Sequence, residues 1–515
     1  MKQKSNTLST LQLVLFSTGG MIGSGWLFSP FYGFQTAGVW VILSWIITAF
    51  LTYIIAVSFA EVSSLLPIVG GVSRFIGVTH NSTISFIFLS LSWLSLAVYL
   101  PLEAQSAIQY LGFWWQDLVV HEGSRVVLSK LGLVVAVGII FGLTWLNCFL
   151  ISRVTKINSV MGVWKMLIPV GVALFFVTLY GSWHHVSMNY HATPFSLENV
   201  LLAITSSGLA FAFTGFQNGL IMANNTKNPK RALPYSLFSP ILLGGIIYML
   251  LSLSFITCLS DPKQISSSAV APLLGLVALF GINIVYVILF ADAVLAPLGT
   301  ANVYTAITGR VLYGLSLDFM PKSILTRLNK YHAPYVCLWI SALVGMCFLF
   351  PFPTWRELVD FLSSVVVFVY IAGPISLLIL RKEFPELPRT FKTKFYRSFG
   401  YVGFACCSLF IYWSELQNLV LLSITLIVII VAFALISKKT SPIETIKHSF
   451  VLVAYVLSMT LISYLHSTKL VAFPYDNLLV IIIAFVCCKF LVATHLPNSV
   501  IKQNLEKLNL EINSN

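Results

Sequence analysis

The chain has 515 residues, 58% hydrophobic and only 9% charged, with a formal net charge of +13. A soluble protein carries roughly 25% charged residues, so a soluble enzyme or a free-standing binding domain is excluded. Apolar runs recur along the whole length, each long enough to cross the ~30 Å hydrocarbon core of a lipid bilayer, and no polar stretch is long enough for a soluble domain.

Fourteen spans are expected, over 11–34, 37–63, 83–113, 127–149, 157–182, 199–223, 234–259, 271–308, 334–351, 357–380, 398–414, 417–437, 448–466 and 475–494. The pattern predicts an all-α integral membrane protein. The eighth span is too long for one perpendicular helix and is expected to tilt or extend past the membrane. With Met1 inside, the inner loops and tails hold 23 of the 30 Lys and Arg, against five in the outer loops: Arg125, Lys130, Lys263, Arg356 and Lys469. That asymmetry is the positive-inside rule. It places both termini in the cytoplasm of a multi-pass plasma-membrane protein of the bacterial inner-membrane kind. It also accounts for the positive charge without a nucleic-acid partner. The basic start before an apolar run has the outline of a secretory leader, but the run is too long and lacks a small-residue cleavage site.

The first span carries Gly19-Gly20-Met21-Ile22-Gly23-Ser24-Gly25 in its middle. Glycine costs about 1 kcal/mol per interior helical position, and unwound backbone is tolerated in hydrocarbon only where it is buried in protein or lines a cavity. A dinucleotide loop would need a strand before the run and an amphipathic helix after it, which this chain lacks. A glycine packing face is the other reading; Ser24 and the nearby Pro30 favour true unwinding. The N–H groups of Gly23, Ser24 and Gly25 would then meet a carboxylate at the start of a half-helix. Carbonyls near Gly20 and Met21 would meet an ammonium group. Together they suit the two charges of an amino acid. The sixth span repeats the interruption at Ser206-Ser207-Gly208 and at Phe211-Ala212-Phe213-Thr214-Gly215-Phe216-Gln217. Paired interrupted spans are how secondary transporters build midplane sites.

Ionisable residues inside spans are functional candidates by default. Glu61 lies near the inner end of the second span, as a gate or packing carboxylate. Glu103 lies in the outer part of the third, to line an outer vestibule or partner a polar group across helices. Lys165 lies a third of the way along the fifth; a buried amine there can load and release a proton, or pair with Asp292 as a fixed cation. Asp292 is midway along the eighth, as a substrate or proton contact. Phe211, Phe213, Phe216 and Trp26 flank the interruptions, as gates or as packing. The eight cysteines fall in or beside spans and read as small apolar fillers. His184, His185 and His191 share a loop without an acidic or Cys ligand nearby, so neither a metal nor a cofactor is expected.

The segment from Gly20 to Phe28 resembles the first-helix signature of the amino acid–polyamine–organocation permeases. Glu61-Val62-Ser63-Ser64-Leu65-Leu66-Pro67 with Gly70-Gly71 resembles the end of their second helix. Phe213 to Phe216 with Lys227-Asn228-Pro229-Lys230-Arg231-Ala232-Leu233-Pro234 resembles their sixth helix and its inner loop. Gly309-Arg310-Val311-Leu312-Tyr313 and Asp318-Phe319-Met320-Pro321 resemble the loop after the eighth. The resemblance covers about residues 10–400. It implies the five-plus-five inverted-repeat fold of the sodium-coupled leucine transporter, with discontinuous helices 1 and 6. It also implies that Lys165 stands where sodium-coupled relatives hold a sodium ion. Ser24-Gly25-Trp26-Leu27-Phe28 and the four extra spans are similar to the aspartate:proton symporter branch. Many family members carry Glu at the position of Gln217, and Gln cannot titrate.

The expected function is amino acid transport by alternating access, proton-coupled through Lys165, with Asp292 and Glu103 as further candidates. Amino acid exchange without proton flow and a non-transporting sensor are the alternatives; no clustered catalytic set indicates an enzyme. The expected division is 1–10 as a cytoplasmic tail, 11–182 and 199–380 as the two repeats, 398–494 as four added helices, and 495–515 as a second cytoplasmic tail.

Overall fold

The computed structural model describes residues 9–66, 73–123, 125–149, 151–221, 228–265, 271–437 and 440–514. The Pro67, Gly70-Gly71 and Lys227 positions of the motifs above lie outside these residues.

The first span is two helices, α1 (Thr10–Met21) and α2 (Gly25–Ala37). Ser9 starts α1 with a reciprocal capping box to Gln12, which satisfies two otherwise orphaned donors. The second span is α3 (Val41–Leu65), followed by the short α4 (Ser73–Thr79). The third is α5 (Ser82–Leu111), capped by the Asn81 side chain. A hairpin of β1 (Val119–Glu122) and β2 (Arg125–Leu128) then pairs Val119 with Leu128 and Glu122 with Arg125. The fourth and fifth spans are α6 (Lys130–Phe149) and α7 (Ile151–Leu179), and α8 (Trp183–Ala192) lies between the fifth and sixth. The sixth is broken into α9 (Leu197–Ser206), α10 (Leu209–Ala212) and α11 (Asn218–Ile221). The seventh is α12 (Pro229–Cys258).

The eighth span departs from expectation. Residues 272–280 form a separate helix, α13 (Pro272–Phe280), and the long helix is α14 (Asn283–Phe319). Gly281 ends α13 in the left-handed region, at φ 66, with its N–H turned back onto the carbonyls of Val277 and Ala278. Glycine takes that conformation without a Cβ penalty. The ninth span is α15 (Tyr335–Cys347). The tenth is also divided, into α16 (Trp355–Tyr370) and α17 (Ala372–Glu383). Pro374 lies in the first turn of α17, where its missing N–H costs no helical bond. Four helices follow, α18 (Tyr396–Tyr412), α19 (Glu415–Ile436), α20 (Pro442–Ser467) and α21 (Tyr475–Ala493), and then the C-terminal α22 (Asn498–Ser514). Ten helices among the described residues are long and apolar enough to cross a membrane. The shorter α9 and α15 are apolar too.

The core is built from α1, α3, α5, α12 and α14. α14 runs along α5, α1 packs on α7 and α12, and α3 packs on α12 and α18. α2 and the broken sixth span pack among these helices, α2 against α12 and α9, and α11 against α1 and α12. α19, α20 and α21 present large apolar side chains outward, such as Leu435, Ile443 and Ile482. A contiguous apolar surface of this extent needs lipid around it.

Two sets of polar contacts mark the ends of the bundle. At one end Glu61 Oε1 lies 3.2 Å from Arg381 and 3.6 Å from Arg389, and Glu61 Oε2 accepts from Thr393 N at 2.8 Å. On this same side α22 is strapped to α4. Leu496 N donates to Thr79 O at 2.8 Å, Asn504 Nδ2 to Val78 O at 3.2 Å, and His80 Nε2 lies 2.9 Å from Leu491 O. The expected C-terminal tail is thus a docked helix that buries Ile501 and Leu505. At the other end the β-hairpin reaches α16 through an Arg125–Glu357 ion pair of 3.1 Å.

Candidate functional site

α1 stops because Ile22 N closes on Thr18 O and the chain then turns, with Gly23 N donating to Met21 O at 3.0 Å. Ser24 N points instead at the third span. It donates to both oxygens of Glu103, at 3.0 and 3.3 Å. So two of the three N–H groups expected to stand open are engaged within the protein. The carbonyls are engaged as well. Gly19 O accepts from Lys165 Nζ at 3.3 Å, Gly20 O faces the Tyr304 hydroxyl at 3.5 Å, and Met21 O takes the Gly23 N–H.

The sixth span breaks twice. Gly208, at φ 75, ends α9, and residues 213–217 run without helix to α11. Gly215 holds φ 100, a conformation side-chain-bearing residues rarely adopt. Its N–H donates to Gln217 Oε1 at 3.0 Å, and the same oxygen accepts the Tyr370 hydroxyl at 2.9 Å. Thr214 Oγ1 bonds the Tyr99 hydroxyl and donates to Phe211 O.

The two breaks pack directly on each other. A Cβ on Gly25 would lie 3.2 Å from Ala212 Cα, and one on Gly215 would lie 3.0 Å from Gly20 O. Ala212 packs beside Gly25 where a side chain would stand.

Lys165 is buried, and its ammonium donates to Thr300 Oγ1 at 2.5 Å as well as to Gly19 O. Thr300 turns its methyl toward Gly23 and its hydroxyl toward Lys165. The alternative in which Lys165 hydrogen-bonds Asp292 is not seen: Asp292 Oδ1 accepts from Trp164 Nε1 at 2.7 Å, and that indole is exposed on the bundle surface. Glu103 does not line a vestibule; it is fully buried at the first break. Phe211 lies edge-on to Trp355, with ring centroids 5.9 Å apart. Phe213 is wedged against Trp45 and Tyr248, and Phe216 stacks on Phe59, so both pack behind the break. Trp26 is fully buried.

Several contacts of the breaks were not anticipated. Trp355 Nε1 donates to Ser24 Oγ at 2.9 Å, and its ring stacks on Phe28 at 4.6 Å. Its position directly after the helix-starting Thr354 of Thr354-Trp355-Arg356-Glu357 was the available signal. Tyr99, Thr300, Tyr304 and Tyr370 had none, since polar residues in a span do not reveal the face they occupy. Trp355 also floors a cavity of about 630 Å³ at the hairpin end, lined with Tyr32, Gln109, Arg125, Glu357 and Asp360. Trp355 therefore stands between that cavity and the first break. Among the described residues no group of three or more His, Cys, Asp or Glu is placed to hold a metal ion.

A five-plus-five helical bundle with added helices, whose first and sixth spans break face to face, is the architecture of a secondary transporter. The chain belongs to the amino acid permease family, whose model matches residues 8–433. It is 30% identical over 509 residues to the glutamate/serine transporter AimA of Bacillus subtilis, covering 94% of this chain and 93% of that one. It is 25% identical over 515 residues to the aspartate-proton symporter of the same organism, covering 97% and 98%. A manganese transporter of Eremococcus coleocola shares the fold, with a TM-score of 0.54 at 15% identity over 93% of this chain and 95% of that one. The protein is thus a multi-pass membrane transporter of amino acids, and its family and these relatives are transporters rather than enzymes.

Proposed function

We propose that this protein is a proton-coupled amino acid symporter of the plasma membrane, with the substrate held between the two helix breaks. The observation that carries the reading is their juxtaposition at one buried point, with the Lys165 ammonium fixed on Gly19 O and Thr300. The substrate contacts are the backbone and side chains of Gly20, Met21, Ile22, Gly23, Ser24 and Gly25 on the first span. Phe211, Phe213, Thr214, Gly215, Phe216 and Gln217 supply them on the sixth. Lys165 and Glu103 carry the proton coupling beside the breaks; Asp292, held by Trp164, acts from the periphery. The hairpin end is the outer face and the Glu61 end the inner face, with both termini cytoplasmic. The two repeats span 11–182 and 199–380, and residues 398–494 are an added scaffold.

Relatives named for glutamate, serine and aspartate support acidic and small polar amino acids as the substrate class. The test is uptake of labelled glutamate, aspartate and serine into proteoliposomes with and without an inward proton gradient. Accumulation above equilibrium that needs the gradient and survives replacement of sodium by choline is the expected result. Exchange that ignores the gradient would make the protein an antiporter, and a strict sodium requirement would defeat the assignment of Lys165 to the cation position.

A further inference from the structure

The amide that should hold the substrate carboxylate already holds a carboxylate. Glu103 is fully buried, and both of its oxygens lie on the Ser24 N–H. The contact is tight: a Cβ added to Gly23 would come within 2.5 Å of Glu103 Oε1. One N–H cannot serve two carboxylates well, and two carboxylates sharing a site cannot both remain ionised at low cost. The charged and titratable groups that act on Glu103 are Lys165 on α7, Tyr248 on α12 and Tyr304 on α14. From the first span only the uncharged Ser24 faces it, and from α16 the Trp355 indole lies on Ser24 Oγ. Lys165 is anchored to Gly19 O and Thr300, so it leaves Glu103 free to exchange partners.

We infer that Glu103 is an internal stand-in for the substrate carboxylate, which the amino acid displaces from Ser24 N–H as Glu103 takes up a proton. The inference rests on the proposed function, in which the first break holds an amino acid. The step balances simply. One proton passes from hydronium to one Glu103 oxygen, so an O–H bond of the donor breaks, leaving water, as one on Glu103 forms, and no bond in the amino acid changes. When the substrate leaves on the other side, the proton leaves too and Glu103 returns to Ser24 N–H. The nearby Lys165 ammonium favours that return of negative charge. Proton and substrate are then coupled at one hydrogen-bond donor, with no titratable group required at Gln217.

The experiment is calorimetric titration of the purified full-length protein with L-serine, L-aspartate and L-glutamate, in buffers of different ionisation enthalpy. The wild type should take up one proton per amino acid at alkaline pH, and affinity should fall about tenfold per pH unit, as linkage of one proton to one ligand requires. Glu103→Gln is neutral at every pH and still offers Ser24 an oxygen. It should take up no proton and hold its affinity within about twofold over the same range. L-serine amide, which lacks the carboxylate, should drive no proton uptake in the wild type. Amino acid binding without proton uptake by the wild type, or equal uptake by Glu103→Gln, would overturn the inference and leave the amino acid site standing. If Glu103→Gln does not fold, the wild-type proton count decides alone. Failure of all three amino acids to bind the folded wild type at any pH would remove the proposed function and this inference with it.

Discussion

Trp355 stands between the hairpin-end cavity and the first break, and if that end opens to admit substrate, its replacement should favour the open state by a calculable amount. Trp355→Phe keeps the stack on Phe28 but deletes the Nε1 bond to Ser24 Oγ. A buried neutral hydrogen bond contributes about 1 kcal/mol, and about 1.4 kcal/mol is a factor of ten. The open-to-closed ratio should therefore rise about fivefold. Trp355→Ala also deletes the stack on Phe28 and the edge-on contact with Phe211, at 4.6 and 5.9 Å. Those ring pairs contribute about 0.5–1.5 kcal/mol each, so the total loss is about 2–4 kcal/mol and the ratio should rise about 30- to 700-fold. An interaction adds to this shift only if opening breaks it. The assay is pulsed electron spin resonance between labels at Val120 on the hairpin and Gln417 on α19, both exposed, in a cysteine-free background. The population at the longer distance should grow in the order wild type, Phe, Ala. A well-folded Trp355→Ala protein with the wild-type distance distribution would show that Trp355 is packing and not a gate.

Gly25→Ala should lower the unfolding temperature, because its Cβ meets Ala212 at 3.2 Å and overpacking costs about 1–3 kcal/mol. Gly25→Val should lower it further, and a valine variant as stable as wild type in detergent would refute the break-on-break packing. Glu61→Gln leaves Arg381 and Arg389 without their buried carboxylate, at a cost of about 3–5 kcal/mol. Thermal unfolding in detergent should register it, and an unchanged midpoint would mean that these ion pairs are not formed in solution. Lys165→Ala removes the group that ties Gly19 to Thr300, and Lys165→Arg substitutes a cation that cannot release its proton. Both should lose gradient-driven accumulation in liposomes, and wild-type accumulation by both would make Lys165 a structural cation.

The broken spans were legible because glycine weakens a helix wherever it falls: the run from Gly19 to Gly25 gave the first break, and Gly208 and Gly215 gave the sixth. The split of the eighth span also had a signal, Gly281, which a search for apolar length passed over. The split of the tenth had Gly373-Pro374. Fine geometry was less accessible. Hydropathy places Glu103 on a span but says nothing of its facing Ser24, 79 residues away in sequence. Nor does it separate Asp292, which bonds an indole on the bundle surface, from Lys165, which bonds the break. The direction in which a side chain leaves a helix is set by neighbours that a span-by-span reading does not contain.

The strap between α22 and α4 has a consequence for how the protein is made. His80 meets Leu491 across 411 residues of chain. At a synthesis rate of about 5–20 residues per second, roughly 20–80 s separate the appearance of the two partners. Throughout that interval the Val78 and Thr79 carbonyls at the end of α4 wait for Asn504 and Leu496. The contacts that cover the end of α4 are therefore among the late ones to form, made only once residues 496–504 have been added.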